Sequence, residues 1–380
     1  MKIGLVCPYN ISKGGGVQEV VKALQHGLIL RGHEAVIITP RPRAKGQPPK
    51  GTIFLGNGAD FKSPMATTAQ FSMSVDGKEI DEMLEREKFD VLHFHEPWQP
   101  VLCRQIITRS SCVNVATFHA NLPGTMMSRT VIRAVIPYTK PILKYIHSYT
   151  AVSEAALEHL RIVSDHPVSI IPNGIDLHHY HSPRQRPENK EKIILYVGRL
   201  EKRKGVKYLL QAFAALREKK PDVRLIIAGD GVDRQKLEQY VEEEEIKNVE
   251  FLGYVTEHDK RELLRKADLF CSPALYGESF GIVLLEAMAS GLVTVAGNNA
   301  GYASVLQGLG ALSLVNPHDT HEFAKRLDLL LHEPELRKLW LKWAKDNVVQ
   351  YSYPHVVEQY EDVYRAALQN HASEIHAQKA

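Results

Sequence analysis

Short aliphatic runs recur along the whole chain, separated by stretches in which apolar residues return every three or four positions. Runs at 3–7, 35–39, 91–95, 113–118 and 148–152 predict strands in the first half, and runs at 193–197, 223–228, 249–252, 269–272 and 293–296 predict strands in the second. Helical spacing at 17–30, 206–218, 234–244 and 260–266 fills intervals between them. Most runs are continuous in Val, Ile and Leu, which marks strands buried on both faces. The expected fold class is therefore α/β, with doubly wound, Rossmann-like parallel sheets.

The stretch 178–192, HHYHSPRQRPENKEK, holds two prolines, many charges and no apolar period, and reads as a linker. Both sides of it start alike, with a strand, a polar loop, glycine and then a helix. Two similar domains are expected, at 1–183 and 184–353, followed by a helix over 354–368 that returns toward the N-terminal domain and a frayed polar tail ending at 380.

Charge and cysteine content narrow the class. Of 380 residues, 47 are Lys or Arg and 44 Asp or Glu, a net +3 that gives no footprint for nucleic acid. The four cysteines, Cys7, Cys103, Cys112 and Cys271, contain no C-x-x-C pair, so neither a disulfide framework nor a zinc site is expected and the natural setting is cytoplasmic. The first apolar run is too short for a signal-peptide core. The stretch 280–297 carries Glu286, Ser290 and Gly291 and reads as a buried helix and strand, not a membrane span.

In open α/β sheets, ligands bind beyond the carboxyl ends of the strands, so loops that follow strands are the places to look. The segment 277–291, GESFGIVLLEAMASG, follows one such strand and opens a helix near Phe280, with Ser279 as expected N-cap. First-turn amides at Gly281, Ile282 and Val283 suit a diphosphate. Glu278 and Glu286 flank that site, and the pattern alone leaves open whether they bind hydroxyls or are ordinary helix carboxylates. Arg199 and Lys204, on the loop after 193–197, suit two phosphates, or else form a solvated basic loop; the Walker spacing is missing. Gly14, Gly15 and Gly16 follow the first strand, where glycine admits positive φ and close approach of a ligand. The G-x-G-x-x-G pattern is lacking there, which disfavours an NAD-dependent dehydrogenase. His119 follows the strand at 113–118. His93 and His95 share a strand face, without further ligands that would make a metal site.

Taken jointly, the glycine loop, Phe118-His119, Pro172-Asn173-Gly174-Ile175-Asp176, Gly198-Arg199 with Lys204-Gly205, and Glu278-x7-Glu286 resemble the GT-B glycosyltransferases of family 4 (GT4) over roughly residues 2–365. Within that family the segments Val6-Cys7-Pro8-Tyr9, His95-Glu96-Pro97 and Gly277-Glu278-Ser279-Phe280-Gly281-Ile282-Val283-Leu284 are most similar to the bacterial phosphatidylinositol mannosyltransferases. The resemblance implies an acceptor-side N-terminal domain, a donor domain after it, and transfer of a sugar from a nucleotide sugar with retention of configuration. GDP-mannose is the favoured donor, and neither a prosthetic group nor a metal is expected. It also implies roles: Arg199 and Lys204 neutralise the departing diphosphate, Glu278 and His119 contact the sugar, Ser279, Phe280, Gly281, Ile282 and Val283 surround the phosphates, Glu286 binds the ribose, Val255 lies against the base, and Gly15 and Gly16 admit the donor. On the acceptor side it puts forward Tyr9, Ser12 and Asn57.

The acceptor implied is a hydroxyl that is lipid-linked or of inositol type. Two features depart from the lipid-using members. The amphipathic stretch 75–88 carries three Lys or Arg against six Asp or Glu, which anionic headgroups repel, and Ser12 replaces an acidic acceptor contact. The stretch 129–144, with Arg129, Arg133, Lys140 and Lys144 amid apolar residues, is the one suited to weak peripheral contact with the inner face of a cell membrane. The alternatives are a UDP-sugar-dependent transferase with a soluble acceptor and a non-catalytic nucleotide-sugar-binding protein.

Overall fold

The computed structural model of the chain describes residues 1–12, 14–42, 49–62, 68–74, 76–98, 101–120, 136–137, 140–180 and 191–379. The chain forms two compact units: Met1–Gly174 together with Tyr353–Ala380, and Ile175–Ser352. The expected break at 183/184, and most of the linker, lie outside the described residues; the first unit gives way to the second at Gly174/Ile175 and resumes at Tyr353. Where the second unit begins and ends, Ile175 pairs with Ser352 in a parallel bridge, and the Ile175 N–H donates to the Tyr351 carbonyl at 2.8 Å.

The first unit holds strands β1 (Lys2–Val6), β2 (Glu34–Arg41), β3 (Thr52–Lys62), β4 (Thr68–Ser74), β5 (Val91–His95), β6 (Val113–Phe118), β7 (Ser148–Ala151) and β8 (Val168–Ile170). They lie in the order β4-β3-β2-β1-β5-β6-β7-β8, and every neighbouring pair is parallel except β3 with β4. The second unit holds β9 (Lys192–Val197), β10 (Val223–Ala228), β11 (Val249–Gly253), β12 (Leu269–Ser272), β13 (Val293–Gly297) and β14 (Leu314–Val315), all parallel in the order β11-β10-β9-β12-β13-β14. Strand order reverses direction between β1 and β5 in one sheet and between β9 and β12 in the other. Those reversals are the points at which open parallel sheets leave a crevice.

Aliphatic runs became strands because both sheet faces are covered. In β1, Ile3, Leu5 and Val6 are fully buried, and the helix Gly16–Leu30 lays Val20, Val21, Leu24 and Leu28 against that sheet. The helix Glu257–Lys266 starts where Thr256 and Asp259 form a reciprocal capping box. Four strands escaped the pattern reading: β3, β4, β8 and the two-residue β14. Their sequences are short or rich in Gly, Ser and Thr, so they carry little hydrophobic signal.

The last helix differs from expectation. It runs unbroken over Tyr353–Lys379, so the stretch taken for a frayed tail is helical. Val356, Val357, Tyr360, Tyr364 and Ala367 on its inner face join the core built on Ile3, Leu5 and Val21 of the first unit. Its spacing of three, four and three from Val357 buries one stripe while the rest stays polar. Deleting that contact is costly: Tyr360→Ala is expected to lower stability by about 3–5 kcal/mol, read as a lower urea midpoint in near-UV circular dichroism.

Candidate active site

At the β9/β12 reversal two loops meet. The loop after β9 carries Arg199, Glu201, Arg203 and Lys204, and the loop after β12 carries Glu278. Glu278 Oε1 accepts from Arg203 Nη1 at 2.6 Å and from Lys204 Nζ at 2.8 Å. Arg203 also pairs with Glu201 at 3.0 Å, and Glu201 reaches Arg199 Nη1 at 2.7 Å. One chain of charge thus runs Arg199–Glu201–Arg203–Glu278–Lys204, with three cations against two carboxylates. Arg203 and Lys204 are largely buried, whereas Arg199 stays 47% exposed and available to a ligand.

Burial draws the Lys204 ammonium below the usual lysine range; Glu278 opposes this, while Arg203 and Arg199 add to it. Burial also disfavours the Arg203 cation, but Glu278 and Glu201 outweigh it and raise its pKa. Backbone packing places the first loop: the Tyr196 hydroxyl donates to the Arg199 carbonyl at 2.8 Å, and Leu200 N–H donates to Asp230 at 2.9 Å. Gly205 follows Lys204 at φ 71°, and a Cβ there would lie 2.2 Å from the Pro273 carbonyl oxygen, so only glycine lets this turn press against the end of β12.

The helix after β12 begins later than expected. Gly281, not Ser279, is its N-cap, and the helical residues are Ile282–Ala289. The reason is local: Gly281 has φ 107°, outside the helical region, and Phe280 turns inward to meet Tyr351 edge-on at 5.7 Å. Ile282 and Val283 still present first-turn N–H groups with no carbonyl inside the helix. Ser279, Gly281, Ile282 and Val283 are half-buried, and Phe280 is fully buried.

Glu286, one turn further in, is 8% exposed. Its Oε1 accepts from Lys260 Nζ at 2.7 Å and from the Tyr180 hydroxyl at 3.0 Å. Burial raises its pKa, against the pull of Lys260. Val255 is half-buried in the turn between β11 and the helix Glu257–Lys266. Arg203, Lys260 and Tyr180 were missed by sequence reading. Arg203 sits inside a basic run in which nothing distinguishes one cation from the next, and the other two matter only through a long-range contact.

In the first unit, the β1/β5 reversal gathers a second group. The glycine loop follows β1, and none of Gly14, Gly15 and Gly16 takes up the left-handed backbone that glycine admits there. Gly15 is extended at φ 172°, and a Cβ on Gly14 or Gly16 would meet nothing within 4 Å. Neither conformation nor packing inside this unit calls for glycine at 14 or 16. Tyr9 packs against the core cluster and its carbonyl accepts from Thr39 Oγ1 at 2.7 Å, while the exposed Ser12 donates its N–H to Asn10 Oδ1 at 2.9 Å. Asn57 lies on β3 opposite Arg41 of β2 and Ser74 of β4.

His119 is 6% exposed at the end of β6, and its Nε2 lies 2.9 Å from His95 Nδ1. Glu96, missed by sequence reading, ties down this loop: its Oε1 accepts from the N–H groups of His119 and Ala120. Burial lifts the Glu96 pKa to about 7 against those two donors. Beside them His93 bonds Tyr364 at 2.8 Å and Thr117 at 2.6 Å. Among the described residues no group of three or more His, Cys, Asp or Glu is placed to hold a metal ion, and no helix is long and apolar enough to cross a membrane. The stretch 129–144 lies largely outside the described residues.

Comparison with known proteins agrees with this geometry. Residues 14–179 match the model described as Glycosyltransferase Family 4, and residues 181–346 match Glycosyl transferases group 1. The phosphatidyl-myo-inositol mannosyltransferase of Mycolicibacterium smegmatis is 31% identical over 96% of this chain and 93% of its own. Among solved structures, sucrose-phosphate synthase from Thermosynechococcus elongatus superposes with a TM-score of 0.75 at 20% identity, covering 97% of this chain and 99% of that one. Anabaena HepE, solved with UDP-glucose, gives 0.73 at 17% identity over 96% of this chain and 100% of that one. The chain is a glycosyltransferase of GT-B fold. It belongs to family 4, alongside the phosphatidyl-myo-inositol mannosyltransferases.

The buried histidines set a pH limit on the first unit. Burial pushes His93 and His119 down to about 3 and His95 well below its ordinary value. The unfolded chain therefore binds more protons than the folded one between about pH 3 and 6.5. Stability from each ring is full above about 6.5 and falls as pH drops toward 3, by up to about 1.4 kcal/mol per pH unit. Glu96 acts oppositely between its ordinary value and about 7, offsetting one ring. His93→Gln should shallow the acid limb of urea midpoint against pH; an unchanged slope would contradict the assignment.

Proposed function

We propose that this chain transfers mannose from GDP-mannose, with retention of configuration, to a hydroxyl of an inositol-type acceptor. The observation that carries the reading is the charge chain Arg199–Glu201–Arg203–Glu278–Lys204 at the β9/β12 reversal, with the helix Ile282–Ala289 opening shortly after Glu278. Charge grows on the leaving diphosphate as the glycosidic bond breaks. Cations and amides already fixed in place favour that state over the ground state. Glu278 holds Lys204 in position and takes sugar hydroxyls. Glu286, oriented by Lys260 and Tyr180, takes the ribose diol. Glycine at 14 and 16, unneeded by the first unit itself, suits close approach of the donor. Mannose and inositol are supported by the name of the mycobacterial relative.

A soluble inositol-type acceptor is favoured over a lipid by the helix Gly77–Glu87, which buries Ile80 and Met83 and exposes Asp81, Glu82 and Glu85 against Lys78 and Arg86, a net acidic face. Such a face is repelled by anionic headgroups. Incubation with labelled GDP-mannose and UDP-glucose, each with inositol phosphate or phosphatidylinositol vesicles, tests the reading. Release of GDP with an α-linked mannosyl product supports it, and turnover of UDP-glucose alone overturns the donor.

Two variants probe the diphosphate site. Glu278→Ala is expected to cut turnover about 100-fold while leaving GDP affinity within about threefold, because the cations it separates remain. Lys204 binds a diphosphate only as the cation, and its pKa lies below the ordinary lysine value, so GDP affinity should begin to fall at lower pH than an exposed lysine would give. In Lys204→Arg the charge persists to high pH. Calorimetric titration from pH 7 upward should show a steeper decline for the wild type; parallel curves would place Lys204 away from the phosphates.

A further inference from the structure

The histidine group at the end of β5 and β6 contains an unpaired atom that the transfer chemistry above leaves unexplained. His95 Nε2 is buried without a hydrogen-bond partner, while its Nδ1 lies 2.9 Å from Nε2 of His119. The His95 ring cannot swing to relieve this. It lies 4.2 Å from the His93 ring at a tilt of 36°, and His93 is itself pinned between Tyr364 and Thr117. On the other side it lies 5.2 Å from the His119 ring, nearly parallel at 28°. The His119 backbone is fixed in turn by Glu96.

A neutral imidazole has one donor and one acceptor nitrogen, and the bond made by one nitrogen decides the role of the other. Burial keeps both rings neutral at physiological pH. Two proton arrangements satisfy the 2.9 Å contact. If His119 donates, His95 must carry its proton on Nε2, and an N–H donor is stranded in the core. If His95 donates from Nδ1, only a bare lone pair is stranded. Orphaned buried N–H groups are the rarer and costlier of the two.

We propose that His95 is a positioning residue: its Nδ1–H donates to His119 Nε2 and fixes His119 in the Nδ1–H tautomer, so that His119 offers a hydrogen-bond donor to an oxygen of the bound sugar. The inference rests on the proposed glycosyl transfer, in which His119 contacts the sugar. It adds the direction of that contact: His119 serves an oxygen lone pair and does not withdraw a proton. With both rings neutral and the proton held on Nδ1, His119 is a poor general base.

Nitrogen-15 spectra of histidine-labelled wild type, with His119 assigned by loss of its signals in His119→Asn, read the tautomer directly. The proton is expected on Nδ1 of His119, and a proton on Nε2 would overturn the proposal whatever the activity. His95→Leu removes the donor at similar volume and should lower kcat about 10–100-fold, with donor KM and GDP affinity within about threefold. His95→Asn, whose amide can reach the position of Nδ1, should recover most of the loss. Full kcat in a folded His95→Leu variant would remove His95 from the reaction. A wild type that turns over no nucleotide sugar would instead overturn the transferase reading, and the tautomer measurement would stand apart from it.

Discussion

One carboxylate holds the strand-order reversal of the second unit together. Glu278, from the loop after β12, is clamped by Arg203 and Lys204 from the loop after β9. These strands are neighbours in space but lie more than seventy residues apart in the chain, and they flank the reversal of strand order. The clamp closes the two sides of that crevice on each other and leaves a surplus of positive charge above it. A helix N-terminus adds its dipole at the same point. Removing one partner of such a half-buried network leaves the others with uncompensated charge, which costs more than the pair itself contributes.

The same logic recurs at the other reversal, with different chemistry. In the first unit the ends of β5 and β6 gather buried neutral imidazoles and the Glu96 carboxyl, whose pKa burial lifts to about 7. Charged groups are concentrated at the reversal of the second unit and neutral imidazoles at that of the first.

Much of the fold was legible because parallel strands buried on both faces leave continuous aliphatic runs. The ten strands expected from such runs are all present. What failed was local. Ser279 looked like an N-cap, but Gly281 in a left-handed conformation starts the helix later, a choice set by where Phe280 must bury its ring. The glycine loop admits a left-handed backbone that none of its glycines adopts: Gly15 is extended and Gly16 opens the helix. The polar end of the last helix gave no apolar signal, since exposed helical turns can be stabilised by their neighbours along the helix.

The candidate site was legible in part. Arg199, Lys204, Glu278 and His119 stood out because each follows a strand, which is a property of sequence order. Arg203, Glu96, Lys260 and Tyr180 did not, because their roles arise from contacts across long separations, such as Tyr180 with Glu286, 106 residues away. The most direct test of the central claim is a crystal structure of the chain with GDP. The diphosphate is expected within hydrogen-bond distance of the Ile282 and Val283 amides, with Arg199 and Lys204 on its oxygens. A diphosphate seated away from these four groups would contradict the account.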